Sequence, residues 1–121
     1  MKAFLRGFHY AFHVIAYVLR TQRNARVHLF ITGIVVAAGV WLRITAVEWA
    51  IVALSVGVVL GAEMLNTVAE LAVDLLTQRQ HPMAKIAKDI GAGAVLIAAL
   101  AAVGVGVAIF GPRLWGLLFG P

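Results

Sequence analysis

Apolar and polar positions along the chain sort into four segments. Over residues 4 to 24, Phe4, Phe8, Phe12, Ile15 and Leu19 recur at steps of three or four, while Arg6, His9, His13 and Arg20 take other faces. That period predicts an amphipathic helix lying in a membrane interface. Residues 27 to 42, VHLFITGIVVAAGVWL, contain no Asp, Glu, Lys or Arg and predict a first span, short enough that its ends borrow from the flanks. A second helical run covers 46 to 77. At helical rise it extends about 48 Å, whereas a bilayer core takes about 20 residues, so one end is expected to project into water. The third run, 89 to 110, is dense in small residues (Gly91, Gly93, Ala98, Ala102, Gly104, Gly106), which let helices approach closely in lipid. Pro112 is expected to end it, leaving RLWGLLFGP as an interfacial tail.

Composition fits this layout. Hydrophobic residues make up 63% of the 121 and charged ones 12%, about half the charged share of a soluble domain. The fold class is therefore an all-α membrane protein of one domain, 1–121: an amphipathic amino-terminal helix plus three transmembrane helices. With no cysteine, disulfides and thiolate chemistry are excluded. The net charge of +5 does not point to nucleic acid, because the basic residues flank the spans. Lys2, Arg6, Arg20, Arg23 and Arg26 precede the first, and Arg79, Lys85 and Lys88 lie between the second and third. Arg43 and Arg113 stand on the other side. The positive-inside rule then puts the amino terminus and the 77–89 loop in the cytoplasm of a multi-pass protein. Trp41 and Trp49 mark an interfacial belt around the turn bracketed by Arg43 and Glu48.

The second run carries the candidate chemistry. Glu63, Asn66, Glu70 and Asp74 follow one another at steps of three, four and four, within an arc of about 80° on one helix face. Acids inside an apolar span are costly unless they serve a function. Glu70 and Asp74, nearer water, offer hard oxygen ligands suited to Mg²⁺. Glu63, deeper and in a drier setting, suits a general base. Lys88, opening the third span, can meet a phosphate as a point charge. His9 and His13 have the i, i+4 spacing of a metal clip, but a lone pair on an interfacial helix is seldom a ligand site, and His28 reads as an interface residue. No Walker A loop, kinase glycine loop or G-x-S-x-G is present, so no common soluble nucleotide fold is at work.

The stretches EMLNTVAELAVDLL and HPMAKIAKDIGAGAVLIA closely resemble the prokaryotic diacylglycerol kinase family, which includes undecaprenol kinases; FHYAFHVI and RTQRNARVHL resemble it more weakly. The resemblance implies a homotrimer of three-span subunits in the bacterial inner membrane, with active sites shared between neighbours. It implies ATP as phosphoryl donor, Mg²⁺ as cofactor and a lipid alcohol, undecaprenol or diacylglycerol, as acceptor. By position it makes Glu63 the catalytic base, Asn66 its neighbour at the lipid, and Glu70 the metal ligand. Tyr10, His81, Lys88 and Asp89 would contact ATP, and Asp74 would support them. The form HP-x-A-K-x-A-K-D looks more like the undecaprenol branch.

One departure stands out. Where the family has a second metal-binding glutamate before R-N, this chain has Gln22, whose amide can ligate Mg²⁺ but brings no charge. The rival reading from another class is a non-enzymatic small membrane oligomer, such as a proton-coupled transporter using Glu63 as its carrier site.

Overall fold

A computed structural model describes residues 1–120, and for Lys2 and Ala3 the backbone alone; Pro121, at the end of the expected tail, lies outside the described residues. The order is α1 (Lys2–Thr21), α2 (Arg23–Trp41), α3 (Ala46–Leu76) and α4 (Pro82–Phe119). Among the described residues the last three are long and apolar enough to cross a membrane. The protein is thus all-α, as its apolar periodicity predicts.

Gln22 alone separates α1 from α2. It is extended, at φ −97° and ψ 117°, and its N–H still donates to the Val18 carbonyl at 2.8 Å. α1 stops here three residues earlier than its apolar period suggests, and α2 starts at Arg23 rather than 27. The apolar ridge of α1, with Phe4, Phe8 and Phe12, is exposed, as an interfacial helix requires.

α2 ends in a Schellman motif. The Ile44 N–H donates to the Gly39 carbonyl at 3.1 Å and the Arg43 N–H to that of Val40 at 3.3 Å. Arg43 takes the left-handed position, φ 50°, normally given to glycine. Gly39 serves a different purpose: a Cβ there would lie 2.8 Å from the Trp49 ring. Trp49 is accordingly half-buried between α2 and α3, whereas Trp41 is exposed in the expected belt position.

α3 begins with a capping box. The Glu48 N–H donates to Thr45 Oγ1 at 3.3 Å, and Glu48 Oε2 accepts from the Thr45 N–H at 2.7 Å. α3 and α4 form an antiparallel hairpin, the most extensive helix contact in the chain, and α2 leans on α3 more lightly. Near the capped end, Ile44, Val52, Ile109 and Phe110 make a small buried cluster. Most other large apolar side chains are exposed, which lipid accommodates around membrane-spanning helices.

Pro112 does not end α4, which runs on to Phe119. Proline costs a helix in water about 3 kcal/mol, but in transmembrane helices neighbouring groups take over the freed backbone sites. Arg113 braces the turn that follows. Its Nη1 donates to the Ile109 carbonyl at 2.8 Å and to Glu48 Oε1 at 2.7 Å, holding the helix past Pro112 against α3.

Candidate functional site

The carboxylate face of α3 continues its packing face. Val52 and Val59 point inward toward the capped end, and the next inward positions are Glu63, Asn66 and Thr67. Glu63 is only 2% exposed. Its Oε2 has no hydrogen-bond partner, and neither has the buried Oδ1 of Asn66. A buried carboxylate oxygen without a donor is costly, so two adjacent orphaned acceptors mark a place for an incoming donor. The Asn66 amide donates to Glu70 Oε1 at 3.1 Å, tying the middle of the row to its wetter end. Thr67 Oγ1 donates to the Glu63 carbonyl at 2.9 Å, satisfying its own burial on its own helix.

Gly91 explains how α4 comes so close to this row: a Cβ there would collide with the Asn66 side-chain oxygen. His28, from α2, and Glu70 are the charged or titratable groups near enough to act electrostatically on Glu63. His28 also lines, with Thr32, Ser55 and apolar side chains of α2, α3 and α4, a cavity of about 220 Å³ whose α3 wall includes Val59 and Leu60, one turn from Glu63. Reading His28 as a simple interface residue misses this, because only the packing of α2 on α3 brings the two together.

Toward the other end of the row the α3–α4 loop encloses a more open cavity of about 930 Å³, bordered by Asp74, Arg79, His81, Lys85, Lys88 and Asp89. His81 caps α4, its Nδ1 accepting from the Met83 N–H at 3.1 Å. Lys88 pairs with Asp74 across the two helices at 2.6 Å, and Lys85 with Asp89 along α4 at 2.6 Å. His81, Lys88 and Asp89 thus border one cavity, together with Asp74 and Lys85. Tyr10 is exposed on α1 and its ring neighbours that of His9. Gln22 sits in the α1–α2 joint, with no side-chain cap bond to α2. Neither makes a hydrogen bond with the α3 row within this chain. His9 and His13 are adjacent, ring centroids 5.8 Å apart, but among the described residues no three His, Cys, Asp or Glu side chains converge as a metal site.

Three long apolar helices, one carrying a buried acid with an unpartnered oxygen, define a class: small integral-membrane proteins with ionisable groups on the packed face of a span. Comparison with known proteins narrows it. Residues 9–110 match the family described as prokaryotic diacylglycerol kinase. A diacylglycerol kinase of Synechocystis sp. is 44% identical over 115 residues, covering 94% of this chain and 66% of that protein. The undecaprenol kinase of Bacillus subtilis is 37% identical over 114 residues, 94% of this chain and 93% of that one. A diacylglycerol kinase of Escherichia coli is 38% identical over 63 residues, 52% of each. The chain belongs to the prokaryotic diacylglycerol kinase family, which sets it among enzymes that transfer a phosphoryl group to a lipid alcohol.

Proposed function

We propose that this protein phosphorylates the hydroxyl of a membrane lipid alcohol with ATP, at the cytoplasmic surface of a bacterial membrane. The observation that carries the reading is Glu63: a buried carboxylate with an unpartnered oxygen, on the helix face that leads through Asn66 and Glu70 toward water. A lipid hydroxyl brought to Glu63 Oε2 supplies the missing donor, and the same contact lets Glu63 take the proton as the oxygen attacks phosphorus. The Asn66 Oδ1, also unpartnered, packs against Gly91 of α4 and keeps Asn66 beside Glu63 on the same face. The amide of Asn66 meanwhile fixes Glu70.

ATP fits the loop cavity, where Lys88 and the capping His81 face Asp89 and Arg79 around a volume within the usual range of small-molecule sites. Tyr10 and Gln22 join this site by resemblance to the family, with α1 closing over it. Mg²⁺ suits Glu70, whose Oε2 lies outside the Asn66 bond, with Gln22 as a neutral second ligand. A single protein carboxylate fits a cation that keeps most of its ligands from triphosphate and water. Bound there, Mg²⁺ would offset charge on the triphosphate. Each chain is one lipid kinase domain, and we take the functional unit to be a homotrimer with sites shared between subunits. The amino terminus and the α3–α4 loop face the cytoplasm, on the bias of basic residues toward those segments.

Undecaprenol is our proposed acceptor, on the loop form HPMAKIAKD. The two relatives that align along nearly all of this chain bear different acceptors in their names. The test is transfer of labelled γ-phosphate from ATP to undecaprenol and to diacylglycerol, each in otherwise identical vesicles. Label in neither lipid refutes the kinase reading, and label in diacylglycerol alone refutes the choice of acceptor.

A further inference from the structure

Both lysines at the loop cavity already hold a carboxylate. Lys88 Nζ lies 2.6 Å from Asp74 Oδ1, joining the last turns of α3 to the first turns of α4 across fourteen residues of chain. Lys85 Nζ lies 2.6 Å from Asp89 Oδ2, one turn along α4. The Asp74–Lys88 pair is reachable from water, the side chains being 62% and 40% exposed, and both border the cavity. An anion entering this cavity therefore finds its nearest ammonium groups taken. To have the Lys88 charge unshared it must displace Asp74, and afterwards it faces the carboxylate so released.

We propose that Asp74 is an internal competitor of the nucleotide: it holds Lys88 in the empty site and yields it to the triphosphate on binding, so that it tunes nucleotide affinity rather than the chemical step. This rests on the kinase reading above. Asp74 is thereby a positioning residue and not a ligand of the metal. The geometry suits such an exchange. The pair crosses two helices, so Lys88 is held at the cavity by Asp74, and a point-charge ammonium on a four-carbon stem can pass from one oxygen to another without backbone movement. Exposed ion pairs are weak, which keeps the exchange reversible and bounds its effect to roughly two- to fivefold in affinity.

The experiment is steady-state kinetics of the full chain in lipid nanodiscs, varying MgATP at saturating lipid, alongside equilibrium binding of a non-hydrolysable ATP analogue. Asp74→Asn, close in shape and at an exposed position, is expected to lower KM for the nucleotide roughly two- to fivefold, leaving KM for the lipid in place. Asp74→Glu, which keeps the carboxylate, is expected to stay near the unaltered value. In a Lys88→Gln background Asp74→Asn should shift nucleotide affinity less, because no ammonium is there to be released. An unchanged or raised nucleotide KM in Asp74→Asn overturns the proposal, as does an equal fall in both backgrounds, which would make Asp74 a repulsive charge only. Analogue binding that follows this pattern without any phosphoryl transfer would leave the competition standing and remove the kinase reading; no binding by the unaltered protein removes both.

Discussion

Arg113 and Glu48, sixty-five residues apart in the chain, meet in a two-pronged contact: Nη1 to Oε1 at 2.7 Å and Nη2 to Oε2 at 2.8 Å. The same carboxylate closes the capping box on Thr45, so one acid both starts α3 and anchors the end of α4. Both side chains are largely covered. Loss of either partner strands the other, so Glu48→Gln and Arg113→Gln should each lower the thermal midpoint in detergent. The double substitution should cost less than the two losses added, because neither charge is then left alone. Additive losses would show that the two side chains do not act as a pair.

Removing the charge of Glu63 tests the proposed base. Glu63→Gln keeps shape and hydrogen-bonding capacity but cannot take a proton. Turnover should fall by about two to four orders of magnitude, with nucleotide binding and assembly retained. Activity within tenfold of the unaltered enzyme would assign the proton to another group.

Gly91 and Gly93 make a matched pair for testing the α3–α4 approach. A methyl at Gly91 collides with the Asn66 side chain, whereas one at Gly93 meets nothing within 4 Å in the chain. Gly91→Ala should cost about 1–3 kcal/mol by overpacking and displace Asn66, lowering activity as well. Gly93→Ala should leave both nearly unchanged. Equal effects from the two would mean that the close approach at Asn66 does not govern this interface.

Gln22→Glu adds the charge that the resemblance to the family implies at this position. If Gln22 reaches the metal, the substitution lowers the Mg²⁺ concentration giving half-maximal activity. An identical magnesium titration would take position 22 out of the metal site.

The helices and the polar row were legible because both are periodic. Glu63, Asn66 and Glu70 share a face by spacing alone, and the structure buries the first two as that face turns inward. Contacts between helices were not legible in this way. That Lys88 pairs with Asp74, or that Gly91 admits Asn66, depends on how the hairpin is set, which no spacing within one helix encodes. His28 likewise comes within electrostatic range of Glu63 only when α2 leans on α3. Pro112 does not mark the end of α4 because helix propensities refer to water, whereas transmembrane helices tolerate proline, and beyond it Arg113 ties α4 to Glu48 of α3. The break at Gln22 carries neither proline nor glycine, so nothing in the local sequence announced it.

That break has a geometrical corollary. With one extended residue between two long helices, α1 has little slack of its own, and its azimuth is keyed to the phase of α2. Lengthening the joint by one helical residue would swing every side chain that follows by about 100°, like a crank turned a quarter of the way round. Whatever α1 covers, it covers in register with the first span.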